Sequence, residues 1–127
     1  MAVRPKLGLA RSEAEIVTTA VLRAADLLQI NGAQLAEIIG VSEATVSRMR
    51  GGGMVLDASK PKQYEAALHF IRLFRSLEGI CDGDLAYAVS WLKTPNRYLN
   101  DAPANLIRSF SGLISTVDHI DAFRAKV

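Results

Sequence analysis

The sequence predicts an all-α protein, and three observations lead to that prediction. Apolar residues recur every three or four positions along most of the chain, and no stretch alternates in the way a strand does. Capping residues and glycine or proline stops divide the chain into segments of helical length. Of the 127 residues, 50% are hydrophobic and 22% are charged, which is typical of a folded helical protein with its own core.

The first helix is predicted to begin at a capping box, Ser12-Glu-Ala-Glu15. In such a box the serine hydroxyl accepts a hydrogen bond from the third backbone N–H, and the glutamate accepts one from the serine N–H. The apolar residues that follow at helical spacing are Ile16, Ala20, Val21, Ala24, Leu27 and Leu28. Asn31-Gly32 then ends the helix.

The stretch AQLAEIIGVSEATVSRMR, residues 33–50, has the pattern of a helix-turn-helix, with helices predicted over 33–39 and 43–50. Gly40 permits the left-handed backbone of a tight turn, Val41 fills the corner, and Ser42 caps the second helix. Ala36 is small where the two helices must cross closely. The residues expected to face inward are Leu35, Ile38, Ile39, Val46 and Met49. This layout is the one that places a second helix in the major groove of DNA.

The outward positions of the second helix carry side chains that suit DNA recognition. Arg48 can donate two hydrogen bonds to a guanine edge, Glu43 can accept one from cytosine, and Ser47 is permissive. Gln34 and Thr45 are better placed for phosphates. The predicted DNA-binding set is Gln34, Ser42, Glu43, Ala44, Thr45, Ser47, Arg48 and Arg50. The alternative is a helical hairpin with a solvated face. Because one such unit covers a half-site, DNA binding implies a homodimer.

A linker separates this region from a second helical half. Gly51-Gly52-Gly53 ends the helix-turn-helix, and the chain then runs through Asp57, Ser59 and Pro61. We place the boundary between residues 59 and 60, which divides the chain into domains 1–59 and 60–127. The next helix, over about 61–78, is apolar on most of its surface. It must therefore be covered on most sides, either as the central helix of the core or by a second copy of the chain.

Further helices follow on either side of the stretch WLKTPNRYLNDAP, residues 91–103. A helix over 82–93 carries Tyr87 and Trp91 on a separate face from its aliphatic residues, and Pro95 ends it. Pro95 and Pro103 are expected to set two corners, with Trp91 in the core beside Leu99. Helices over about 103–109 and 111–125 complete the chain. One side of the last helix carries Leu113, Thr116, Ile120 and Phe123.

Composition and motifs argue against several other classes of protein. The net charge of +2 is only mildly favourable for nucleic acid. The single cysteine, Cys81, cannot pair within the chain and is expected to be buried, which fits the cytoplasm, and no apolar segment approaches a membrane span. The sequence contains no metal-ligand cluster, phosphate loop or catalytic pair, and Asp82-Gly-Asp84 is expected to cap a helix. We therefore expect that the protein is not an enzyme and that it has no cofactor and no metal site.

Several residues late in the chain form a more specific pattern. They are WLKTPN, Leu99, Pro103, Leu106-Ile107, Gly112 and the closing VDHIDAFRAKV. Together with the helix-turn-helix half, this pattern resembles the Xre/MbcA/ParS antitoxins, the helical partners of RES-domain toxins, over nearly the whole chain. One departure is Asn100-Asp101, where the family's toxin-binding domain usually carries a glycine pair. Both replacements tolerate turn conformations, so the fold should survive the change.

The resemblance implies two activities. The amino-terminal domain would bind the promoter of its own toxin-antitoxin operon, and the carboxyl-terminal domain would neutralise the toxin. RES toxins deplete cellular NAD, so the antitoxin would keep NAD out of the toxin's active site rather than bind it as a cofactor. The toxin-binding residues expected on this basis are Asn96, Arg97, Asp121, Phe123, Arg124, Lys126 and Val127.

The closing residues suit that task chemically. Phe123 is a rigid apolar anchor, Arg124 and Lys126 are long donors, and the Val127 carboxylate is an anion at the end of a helix. A pocket for the NAD pyrophosphate is expected to contain cationic donors, which a terminal carboxylate can engage. The alternative for an arbitrary protein is a frayed, solvated helix end.

Our leading hypothesis is a type II antitoxin that blocks the active site of a RES-type toxin and represses its own operon. The alternative is a stand-alone helix-turn-helix regulator whose carboxyl-terminal half only dimerises. A helical adaptor without DNA binding is a third possibility. A toxin gene beside this gene favours the first hypothesis, and its absence favours the second.

Overall fold

The computed structural model describes residues 12–125, which form seven α-helices and no sheet. The fold class is therefore all-α, as predicted. The helices are α1 (Glu13–Leu27), α2 (Gly32–Ile39), α3 (Glu43–Arg50), α4 (Pro61–Ile80), α5 (Leu85–Lys93), α6 (Pro103–Leu106) and α7 (Phe110–Ala125). Within residues 12–125, none of the helices is long and apolar enough to cross a membrane.

Side chains cap the first turn of several helices. The predicted box at Ser12 and Glu15 is present, with N–H to side-chain oxygen distances of 2.9 and 3.1 Å. Ser42 caps α3 and Asp84 caps α5, each accepting a hydrogen bond from the backbone N–H three residues further on. The helix predicted to begin near residue 82 begins later, because Asp82-Gly83 has positive φ angles of 52° and 80°.

The buried face of α1 includes Val21, Ala24 and Leu28 of the predicted stripe, but it also includes Val17, Thr18 and Ala25. Thr18 lies inside, whereas Ile16 is 52% exposed. The Thr18 hydroxyl donates to the Ala14 carbonyl oxygen at 2.7 Å and accepts from the Leu56 N–H at 2.8 Å. The buried hydroxyl is thus fully bonded, and it attaches the linker after α3 to the first helix.

Helices α2 and α3 pack against each other as the predicted helix-turn-helix. Gly40 has a left-handed backbone with φ 77°, and its N–H donates to the Ala36 carbonyl oxygen at 2.9 Å. Val46 and Met49, on the inner face of α3, are only 1% and 3% exposed. The turn and the inward residues of the sequence-based prediction are therefore confirmed.

Helix α4 is the centre of the molecule and contacts α1, α2, α5 and α7. Phe70, Leu73 and Leu77 on this helix are completely buried. The chain itself thus supplies most of the cover that the apolar sequence of α4 requires. Leu68 is an exception, since it remains 42% exposed.

The last two helices meet at a close approach of backbone to backbone. Helix α6 is shorter than the predicted 103–109, and α7 begins at Phe110. A Cβ atom at Gly112 would collide with the carbonyl group of Leu106. Glycine at this position therefore permits the sharp turn between α6 and α7.

Candidate functional site

The exposed face of α3 presents four of the residues predicted to bind DNA. The buried residues Val46 and Met49 fix the rotation of the helix. The opposite face is exposed and carries Glu43, Ala44, Ser47 and Arg48. Among residues 12–125, no acidic side chain forms an ion pair with Arg48. The guanidinium of Arg48 is thus available for an external acceptor.

Three other members of the predicted set make polar contacts within the protein. Arg50 Nη1 lies 2.8 Å from Asp26 Oδ1, which joins α3 to α1. The hydroxyls of Ser42 and Thr45 lie 2.9 Å apart, and Ser42 Oγ also accepts from the Thr45 N–H. These contacts stabilise α3 and its first turn, so the DNA contacts of these residues stay a prediction.

Gln34 lies in the first turn of α2 and shares a capping box with Asn31. Gln34 Oε1 accepts from the Asn31 N–H at 2.8 Å, and Asn31 Oδ1 accepts from the Gln34 N–H at the same distance. Because the carboxamide oxygen is occupied, the amide nitrogen is the group that Gln34 can offer to a phosphate.

A polar cluster joins α7 to α4 and contains two of the predicted toxin-binding residues. Asp121 accepts hydrogen bonds from Arg72 Nε at 2.9 Å and from Ser76 Oγ at 2.8 Å. Arg124 Nη1 lies 3.3 Å from the same Ser76 oxygen. Burial raises the pKa of the Asp121 carboxyl, but the hydrogen bonds from Ser76 and Arg72 and the charges of Arg72 and Arg124 outweigh it, so this pKa lies below its ordinary value.

Arg124 lies against the last turn of α4. A Cβ atom at Gly79 would come within 3.4 Å of Arg124 Nε, so the absence of a side chain there leaves room for the guanidinium. Phe123, the neighbouring residue, points away from the core and is 57% exposed. Lys126 and Val127 lie outside the described residues.

The turn after α5 contains the other two predicted toxin-binding residues. Asn96 Oδ1 accepts from the Tyr98 and Leu99 N–H groups at 2.8 and 3.2 Å, and the Asn96 N–H donates to the Asp101 carbonyl oxygen. Asn96 therefore organises the turn, while Arg97 is exposed. Asn100 has φ 69°, in agreement with the prediction that it tolerates a turn conformation.

A groove beside this turn contains aromatic residues that the sequence analysis did not include in the site. It encloses about 370 Å³ and is lined by Ile80, Tyr87, Trp91, Asn96, Tyr98, His119, Ile120 and Phe123. We call it the aromatic groove. Trp91 was expected in the core, and it is in fact partly buried, packing against the core while also lining the groove. The separate aromatic face of α5 was the signal in the sequence, but the contribution of α7 to this groove depends on tertiary structure.

Within the described part of the chain, no group of three or more histidine, cysteine and acidic residues is arranged to hold a metal ion. Cys81 is buried as predicted, and burial raises the pKa of its thiol, with a smaller contribution from the charge of Asp84.

Comparison with known protein families identifies both halves of the chain. The antitoxin Xre-like helix-turn-helix domain matches residues 8–72, which contain the α2–α3 unit. The antitoxin Xre/MbcA/ParS C-terminal toxin-binding domain matches residues 76–126, which contain the aromatic groove. A search of curated proteins found no significant match.

The fold and its two surfaces thus define a two-part binding protein, with a helix-turn-helix followed by a toxin-binding domain. The chain belongs to the Xre/MbcA/ParS antitoxin family. It is an antitoxin of a toxin-antitoxin system, with a toxin and DNA as the partners that its domains imply.

Proposed function

We propose that this antitoxin neutralises a RES-type, NAD-degrading toxin by covering its active site and that it represses its own operon. The observation that supports this proposal most directly is the presence of both family domains in one chain. The match over residues 76–126 favours an antitoxin over a stand-alone regulator whose second half only dimerises. As a non-enzymatic binding protein, it would act in the cytoplasm, where the operator and NAD are both present.

The DNA-binding half supports autoregulation through the exposed face of α3. Glu43, Ser47 and Arg48 are presented outward on a helix whose inner face is buried. Such a helix can enter the major groove and read a half-site of a few base pairs. We therefore propose a homodimer on a repeated operator, with higher complexes formed when the toxin binds.

The toxin-binding half supports active-site blockage through the end of α7. The cluster of Arg72, Ser76 and Asp121 holds α7 on α4. This attachment fixes the orientation of α7 on α4. In this proposal Phe123 contacts the mouth of the toxin's active site, and Lys126 and Val127 enter it.

Deletion of Lys126 and Val127 tests the blockage without removing the contact of Arg124 with Ser76. The shortened antitoxin should keep its melting temperature, but cells that co-express it with the RES toxin should lose NAD and stop growing. A Lys93→Ala variant is the matched control, because Lys93 is an exposed cation at the end of α5. Full protection of NAD by the shortened chain would contradict active-site blockage by the tail.

A further inference from the structure

We infer that the aromatic groove is the principal docking pocket for the toxin and that it receives an uncharged apolar side chain from the toxin's surface. This inference rests on the proposed function, because it assigns a surface of this chain to the toxin. It adds Tyr87, Trp91 and Tyr98 to the residues expected at the interface.

The exposure of the aromatic rings is the first observation. Tyr87 is 58% exposed, Tyr98 is 78% exposed and Phe123 is 57% exposed. All three line one groove together with the partly buried Trp91. Protein interfaces are enriched in tyrosine, tryptophan and phenylalanine, and rings clustered around a depression form the kind of pocket that receives a partner's anchor residue.

The chemistry of the lining determines what the groove can receive. Among the described residues, none of the eight that line the groove is aspartate, glutamate, lysine or arginine. A charged group buried there would lack a partner and pay the full cost of desolvation, whereas an aliphatic or aromatic side chain would bury apolar surface. The phenol groups and the imidazole of His119 can supply hydrogen bonds at the edge of the groove.

The groove has a defined shape because its walls are held by other contacts. The rings of Tyr98 and His119 pack with their centroids 6.1 Å apart and their planes tilted by 30°. The turn that carries Tyr98 is held by the hydrogen bonds of Asn96. A preformed pocket loses less conformational entropy on binding than a mobile one.

The position of the groove identifies the toxin as its occupant. All eight lining residues fall within the range 76–126 that matches the toxin-binding domain. Phe123 lines the groove and is followed closely in the chain by Lys126 and Val127, which are proposed to enter the toxin's active site. Charged residues such as Arg97, Asp118 and Arg124 are chain neighbours of groove residues.

Affinity measurements with the full-length chain and a purified, catalytically inactive RES toxin test this inference. Tyr87→Ala and Tyr98→Ala should each weaken toxin binding by about tenfold or more, as is typical for aromatic anchors. Ile16→Ala is the matched control, because Ile16 is an apolar residue of similar exposure, 52%, in the helix-turn-helix half. It should leave the affinity for the toxin unchanged.

Trp91 provides a second readout, since it is the only tryptophan of the antitoxin. The emission spectrum of the Trp91→Phe complex is subtracted from that of the wild-type complex. The difference is the fluorescence of Trp91, because the contribution of the toxin is the same in both complexes. This difference spectrum should shift to shorter wavelength on binding, because the occupant removes water from the indole.

Each outcome decides a different point. If the wild-type chain does not bind the RES toxin, the proposed function fails, and the assignment of the groove fails with it. If the wild-type chain binds but the groove variants bind equally well and the Trp91 emission does not change, the inference is wrong while the proposed function stands. If the variants instead abolish a dimer measured by sedimentation in the absence of toxin, a second copy of the chain occupies the groove and the inference is overturned.

Discussion

Arg48 and Arg50 lie two positions apart on α3 but have different surroundings. Arg48 is exposed, whereas the guanidinium of Arg50 lies 2.8 Å from the Asp26 carboxylate on α1. We expect Arg48→Ala to weaken operator binding by about tenfold or more and to relax the base preference at one position. Arg50→Ala should weaken binding less, because Arg50 already has a partner within the protein. Polarisation titrations with an operator fragment at two salt concentrations measure both effects, and equal losses would contradict this division.

Gly112 lies at a position where the fold has no room for a side chain. Alanine there would place a methyl group against the Leu106 carbonyl, which belongs to the backbone and cannot rotate away. We expect Gly112→Ala to lower the free energy of unfolding by about 2 kcal/mol, a typical cost of overpacking. Gly32→Ala is the control, because its methyl group would lie 3.8 Å from Val46 Cγ1, an ordinary contact. Urea denaturation of both variants measures the difference, and similar stabilities would argue against the close approach.

The role of a residue could be predicted from the sequence where that role depends only on residues nearby in the chain. The cap at Ser42 and the left-handed turn at Gly40 depend on local backbone geometry, and both are confirmed. The partner of Arg50 on α1 depends on how distant segments pack, so the outward pattern of α3 did not reveal it. The same reason explains why the α7 side of the aromatic groove was missed.

Local signals in the sequence predict where the helices lie better than they predict which face of each helix is buried. All seven helices occur near their predicted positions, because caps, glycines and prolines act within one turn. The predicted stripe of α1 was wrong at Ile16, which is exposed, and it omitted Thr18. Thr18 counts as polar in a pattern, yet its hydroxyl is satisfied by Ala14 and by the linker at Leu56. A buried polar residue of this kind can be recognised only when its partners are known.

The attachment of α7 to α4 has a predicted pH dependence. The pKa of Asp121 lies below its ordinary value in the folded protein, so its ionised form favours folding above the unfolded-state pKa. This stabilisation should be lost as the pH falls through the lowered folded-state pKa. We expect Asp121→Asn to lower the free energy of unfolding by about 1 to 2 kcal/mol at neutral pH, and by progressively less in acid.

Asp118→Asn is the control for that prediction, because Asp118 is an exposed carboxylate on the same helix. Its free energy of unfolding should change by no more than about 0.5 kcal/mol at any pH. Urea denaturation between neutral and acidic pH measures both variants. Parallel pH profiles for the wild type and Asp121→Asn would show that the cluster does not stabilise α7.

The two family domains share one helix and one core. The matches end at residue 72 and resume at residue 76, both within α4, which packs against α1 and α2 as well as α5 and α7. The predicted domain boundary between residues 59 and 60 therefore stays a prediction of where the DNA-binding half ends and the toxin-binding half begins. Gln63, early in α4, also donates to the Gly40 carbonyl oxygen at 3.3 Å. The helix-turn-helix thus contacts the segment that carries the toxin-binding half.

A second connection between the halves is an ion pair 71 residues apart in sequence. Arg108, between α6 and α7, donates from Nε and Nη2 to the two carboxylate oxygens of Glu37 on α2 at 2.8 and 3.0 Å. The hydrogen bond from Arg108 lowers the pKa of Glu37. Nothing in the local sequence predicts this contact, because its geometry exists only after both halves have packed.

Exchange of the two charges tests whether this pair aligns the halves. Glu37→Arg alone and Arg108→Glu alone each place like charges in contact, so each should lower the melting temperature, by a few degrees at most because the pair is exposed. The double variant restores an opposite pair and should recover most of the loss. Salt should reduce the effect of the single variants. If the losses of melting temperature in the double variant are additive, the two residues act independently. Recovery of the melting temperature therefore identifies a direct connection between the DNA-binding and toxin-binding halves.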